Sequence, residues 1–156
     1  MGQEVLDAFW KSNDRIYNEN TLLYHRLARA CGLPDCAFWL LYTLRSEEAP
    51  LTQTQLSEQL SLPKQTVNSA LKKLVEAGYL RLEAADGNLK NKQVLVTEAG
   101  DAFLRRTVDR VFDMENAAVS HLSGEERAAL LDLSQKLLDA FRTETERFLK
   151  AQDTGD

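Results

Sequence analysis

Between residues 64 and 73 the chain reads KQTVNSALKK. At roughly 100° per residue, Val67, Ala70, Leu71 and Leu74 fall on one side of a helix, and Gln65, Thr66, Ser69, Lys72 and Lys73 fall on or near the other. Amide and hydroxyl groups carry donors and acceptors that complement base-pair edges in a major groove, and ammonium groups neutralise phosphate and release its counterions. A polar helix face is common, so the surrounding order of features carries more weight than the face itself. Catalysis has no comparable support. His25 and His121 lie on separate helical segments, with no nucleophile motif, Gly-rich phosphate loop or metal-ligand spacing around either. An enzyme is not expected, nor is a metal or cofactor.

Several elements must position that face. Thr52 and Gln55 form a capping box, and Leu51 and Leu56 a hydrophobic staple, so a short helix opens at Thr52. Only Ser61 and Leu62 separate it from Pro63, which suits the first turn of the next helix, expected from about Pro63 to Ala77 and stopped by Gly78. YLRLE alternates and QVLVT is rich in β-branched residues, so both read as strands. AADGNLKN between them holds a turn signal at Asp86-Gly87, and Lys90 within it and Lys92 just after it could reach an adjacent groove. Two short helices, a tight link and a hairpin describe a winged helix-turn-helix. A winged helix used only to bind protein is the main alternative, and a small helical enzyme a lesser one.

The rest of the chain reads as helix. A long helix is expected from about Val5 to Ala30, with Leu6, Phe9, Trp10, Ile16, Leu23 and Leu27 near a 3.6-residue period, broken by Gly32 and Pro34. DCAFWLLYTL makes a short apolar helix. Thr97 caps a further helix carrying Phe103, Leu104, Val108, Val111, Phe112 and Val119. Ser123 and Glu126 form a second capping box ahead of a stripe of Leu130, Leu133, Leu137, Phe141 and Phe148. The fold class is therefore mainly α with a small two- to three-stranded β-wing. The tail AQDTGD, residues 151–156, is expected to fray.

With 156 residues the chain can build one domain with a real core. Its net charge of −5 argues against indiscriminate coating of nucleic acid. Residues 52–97 hold six basic and four acidic side chains, a local +2 that leaves −7 on the remainder. MGQEVLDAFWKSND has acids and no long apolar core, so no secretory signal is expected, and no apolar run approaches a membrane span. A cytoplasmic location follows as the expectation. Cys31 and Cys36 are too few for a disulfide framework or metal site, and read as small hydrophobes ahead of a redox role.

QLSEQLSLPKQTVNSALKKLVEAGYLRL, followed by VLVTEAG, resembles the MarR family of bacterial transcription regulators. That family reads as a Leu-rich helix, a short link, TVxxxLxxLxxxGxL, a wing and LTExG. The individual motifs are degenerate, but their order and spacing are specific, and the resemblance covers nearly the whole chain. It implies a single MarR-like domain over 1–156. Residues 1–33 and 98–150 would be dimerisation helices, and 34–97 the DNA-binding lobe, with the wing at about 79–97. The implied protein is a homodimer on a pseudo-palindromic double-stranded DNA operator, often a repressor released by a small molecule. Gln53 and Thr54 would lie near a phosphate. Lys64, Gln65, Thr66, Asn68, Ser69, Lys72 and Lys73 would lie on the recognition helix, and Arg81 beside the wing. His25, Trp39 and Tyr42 are the resemblance's candidates for the pocket of an aromatic, often anionic, effector. In two places the chain departs from the pattern. Pro63 stands where the family often has a capping Ser, and Asn88 and Leu89 stand where its wing usually has Asp and Arg.

Overall fold

The computed structural model describes residues 2–85 and 88–153, the side chains of 85, 88–91 and 153 excepted. The Asp86-Gly87 turn and the side chains of Asn88, Leu89 and Lys90 therefore lie outside the described residues. The order is α1 (Gln3–Ala30), α2 (Asp35–Ser46), β1 (Leu51–Thr52), α3 (Gln53–Gln59), α4 (Lys64–Glu76), β2 (Leu80–Ala85), β3 (Asn88–Val96), α5 (Glu98–Arg106), α6 (Val108–Val119) and α7 (Gly124–Asp153). Two compact units divide the chain, residues 1–112 and 113–156.

In the first unit the helix ends follow local rules. α1, α3 and α4 all close with the same pair of reverse-turn hydrogen bonds, in which the second residue past the cap donates to the carbonyl three residues inside the helix. Leu33, Leu62 and Tyr79 are those donors, to Ala28, Ser57 and Leu74, at 3.0–3.1 Å. The residue before each donor must take a positive φ. Gly32 (+72°) and Gly78 (+78°) do so without strain, whereas Ser61 (+51°) does so against its Cβ. At the start of α3 the Thr52 hydroxyl accepts from the Gln55 amide while the Gln55 side chain accepts from the Thr52 amide, the capping box expected there. Leu51 and Leu56 beside it are both buried.

Pro63 sits one position earlier than expected. Its φ of −56° and ψ of 138° make it the cap of α4, and the helix begins at Lys64. The Pro63 carbonyl accepts from Thr66 and Val67, but the side chain offers no capping bond. The strands also reach further into AADGNLKN than expected, with β2 running to Ala85 and β3 starting at Asn88. β3 is the central strand of an antiparallel sheet ordered β1-β3-β2. Leu51 and Leu82 flank Val94 on one face, while Arg81 and Glu83 alternate onto the other. That apolar face closes over a core of Phe38, Leu40 and Leu41 from α2, Leu56 from α3, Val67, Leu71 and Leu74 from α4, and Leu104 and Val108 beyond the sheet.

The base of the sheet is pinned to α5. The Thr97 hydroxyl donates to the Gly78 carbonyl at 2.6 Å and accepts from the Gly100 amide at 3.0 Å, so one side chain caps α5 and ties it to the end of α4. Gly100 lies so close that a Cβ there would come within 2.1 Å of the Tyr79 carbonyl oxygen. This is the physical content of the T-E-x-G pattern. Tyr79 also stacks on Phe103, centroids 4.5 Å apart.

The single helix expected after Thr97 is in fact two. At Thr107 the backbone turns to φ −126°, ψ −84°, and its hydroxyl donates back to the Phe103 carbonyl at 2.7 Å. Arg45, at the end of α2, spans this break. Its Nε and Nη2 donate to the two carboxylate oxygens of Asp109 at 2.7 and 2.5 Å, and Nη1 donates to Asp101 at 2.8 Å. Those bonds hold the Asp109 carboxyl below its ordinary range and the guanidinium above its own.

The second unit holds the end of α6 and the 30 residues of α7. Ser123 and Glu126 exchange the two bonds of the expected capping box, at 3.1 and 2.7 Å. Helix continues to Asp153, so 151–153 are ordered helix rather than frayed tail, and 154–156 lie outside the described residues. Every described side chain of α7 is exposed, including Leu130, Leu131, Leu133, Phe141 and Phe148 at 55–72%.

Candidate nucleic-acid interface

The apolar side of α4 is spent on the core: Val67, Leu71 and Leu74 are 0–4% exposed. Lys64, Gln65, Thr66, Asn68, Ser69, Lys72 and Lys73 are all exposed, so the seven residues proposed for this helix share the solvent side of one rigid element. Asn68 is exposed with the rest. Ser69 donates its hydroxyl proton to the Gln65 carbonyl at 2.9 Å, which leaves its oxygen as an acceptor towards solvent. Lys72 lies 3.9 Å from Glu76, whereas Lys64 and Lys73 enter no ion pair among the described residues. Thr54 is exposed and Gln53 half-buried at the first turn of α3.

On the wing, Arg81 pairs with Glu83 two residues along the same strand face, which offsets part of the charge it could offer a phosphate. Lys92 is exposed opposite Ala84. Behind α4, the Cys36 thiol lies 4.0 Å from the Thr66 carbonyl. Burial pushes both thiols, Cys31 and Cys36, above their ordinary range, so neither environment favours the reactive thiolate.

A cavity of about 320 Å³ opens on the first unit between α1 and α2. α1 contributes Tyr17, Asn20, Thr21, Tyr24 and His25, and α2 contributes Asp35 and Trp39. His25 and Trp39 were expected at such a pocket. Tyr42 is not in its lining and instead packs edge-on against Phe112, centroids 4.7 Å apart. The His25 Nδ1 lies 2.9 and 2.8 Å from the two oxygens of Asp35. Tyr17, Asn20, Thr21, Tyr24 and Asp35 also line it and were not among the residues expected there. Each of the first four lies three or four residues from two of the others along α1, a spacing that puts them on one helix face.

No helix among the described residues is long and apolar enough to cross a membrane, and no group of three or more His, Cys, Asp or Glu there could hold a metal ion. Residues 32–88 match the model of the MarR family. The chain is 30% identical over 95 residues to the HTH-type transcriptional regulator PecS of Dickeya dadantii, a match covering 60% of this chain and 57% of that protein's length. It is 23% identical over 126 residues to the HTH-type transcriptional repressor NicR of Pseudomonas putida, covering 81% and 79%. A MarR family regulator from Neisseria meningitidis superposes with a TM-score of 0.73 at 22% identity, over 94% of this chain and 99% of that one. Staphylococcus aureus MarR, in complex with salicylate and kanamycin, superposes at 0.70 and 17% identity, over 91% and 95%. The structural likenesses establish the winged-helix fold, and the relatives are regulators rather than enzymes. The match to the MarR family model falls on residues 32–88, which hold the T-V-N-S-A-L helix and the Gly78 stop, so this stretch is similar to that family's DNA-binding region.

Proposed function

We propose that this protein is a sequence-specific DNA-binding regulator, acting in the cytoplasm as a homodimer on a pseudo-palindromic operator and releasing it, as a repressor, when a small effector binds. The observation that carries the reading is α4, whose buried side is held rigidly while its solvent side presents two amides, two hydroxyls and three lysines. In this reading Gln65, Asn68, Thr66 and Ser69 face base edges. Lys64, Lys72, Lys73 and Lys92 neutralise phosphate, with Gln53, Thr54 and Arg81 flanking them. Residues 34–97 form the DNA-binding lobe, and 1–33 with 98–150 the dimerisation helices.

A second copy of the chain is the partner that best accounts for α7. Its exposed Leu and Phe side chains recur along a 30-residue helix, and an amphipathic helix owes most of its stability to the packing of its apolar face. A two-fold dimer would also set two recognition helices about 34 Å apart, the spacing a palindromic site needs.

Selecting bound fragments from a random DNA pool tests the reading directly. A two-fold consensus should emerge, and Gln65→Ala should relax preference at particular positions by roughly 1–3 kcal/mol. A pool that yields no consensus would leave the winged helix without its proposed ligand.

A further inference from the structure

The lining of the α1–α2 cavity is the wrong sign for an aromatic acid. Asp35 is its one carboxylate, and no Lys or Arg is among its described lining residues. A carboxylate only accepts, so the His25 Nδ1 that lies against both Asp35 oxygens must donate. That bond holds the Asp35 carboxylate in place at the cavity. Around it stand aromatic faces. Tyr24 and Trp39 form a tilted pair with centroids 4.8 Å apart, and Tyr17 adds a third ring. Aromatic rings grouped beside a carboxylate attract a cation twice over, through the negative ring face and through direct charge. An anion in the same place would meet the Asp35 carboxylate with no Lys or Arg among the described lining residues to attract it.

We infer that this cavity binds a small organic cation, a quaternary ammonium or protonated amine carrying one ring or short alkyl arms. The volume of about 320 Å³ lies at the small end of ligand pockets, which limits the occupant to a compact molecule. The ring pair of Tyr24 and Trp39 would stack on its apolar part or face its charge, with Asp35 as counter-ion and the Asn20 amide as a polar contact at the rim. The inference keeps the effector-responsive reading above and names the chemistry of the effector.

Titration calorimetry on the full-length protein without DNA is the test. Three probes of similar size are compared: benzyltrimethylammonium, 3-phenylpropanoate and 3-phenylpropanol. The cation should bind at least about tenfold more tightly than the anion. Asp35→Asn should weaken the cation by roughly tenfold and leave the alcohol unchanged, and Trp39→Leu should weaken the cation by about two- to fivefold. Because Asp35 lies in the first turn of α2, a circular dichroism melt accompanies that variant. Equal or tighter binding of 3-phenylpropanoate, or an unchanged cation affinity in folded Asp35→Asn, would each overturn the inference, as would no binding of any probe. Adding the cation to the protein on its selected operator then separates the two readings: tight binding without DNA release supports the cation site and rejects only its role as effector site.

Discussion

α4 and α7 are both amphipathic helices, and they differ in where their apolar faces go. α4 is 13 residues long and buries Val67, Leu71 and Leu74 in its own unit, which frees its opposite side for a ligand. α7 is 30 residues long and leaves Leu133, Leu137, Phe141 and Phe148 between 37% and 63% exposed. The same sequence period therefore has two meanings. One face is satisfied within the chain and leaves the polar side of α4 exposed. The other stays exposed in the single chain, and in the proposed dimer a second copy would cover it, which would make its contribution to stability depend on concentration.

Truncating the buried side of α4 should break its half of the contrast hardest. Leu71→Ala should cost about 2–5 kcal/mol, read as a drop in urea midpoint below the parent's that is the same at every protein concentration. A drop that changed with concentration would mean that α4 is not stabilised within one chain. For α7 the expected signature is the reverse. Leu133→Asp with Leu137→Asp should convert a micromolar dimer into a monomer in sedimentation, because charges placed at an apolar seam lose their water. If the double variant sediments as the parent does, this stripe is not the dimer seam.

Smaller effects sharpen the comparison inside the first unit. Asp109→Asn should cost about 1–2 kcal/mol at neutral pH by removing the charge that Arg45 grips. The Asp109 carboxyl is held below its ordinary value of 3.8, so the folded state binds its proton less readily than the unfolded state. Its stabilisation is thus full above that value and disappears as pH falls below it. Urea melts should show parent and variant converging in that acid range, and a constant gap down to the most acid melt would remove the linkage. Smallest of all, Ser61→Gly should raise stability by up to about 1 kcal/mol, because glycine takes the positive φ without the Cβ penalty. An unchanged or lower melting temperature would show that Ser61 holds something its backbone does not reveal.

How much of this was legible in the residues follows the range of the interactions. Thr52 with Gln55, Ser123 with Glu126, and Gly32 and Gly78 as helix stops all act over four residues or fewer, and all were read correctly. The exposed side of α4 was legible for the same reason, since its buried side has a clean period. The break at Thr107 was not, because VDRVF continues a helical pattern and no Gly or Pro interrupts it. Strand β1 was missed as a separate element because its two residues have no pattern of their own and exist as a strand only by pairing with β3.

The sequence by itself determined where most helices begin and end, which side of α4 meets solvent, and the family resemblance, because caps, stops and periodicity are hydrogen-bond and packing rules confined to one turn of chain. Only the tertiary structure decided what those elements enclose. Arg45 meets Asp101 and Asp109 across 56 and 64 residues, and His25 meets Asp35 across ten, turning a pocket expected for an acid into one lined by a carboxylate. A charged side chain has no preferred partner until the chain brings one within about 3 Å, and that distance is set by the packing of whole helices rather than by any residue along them.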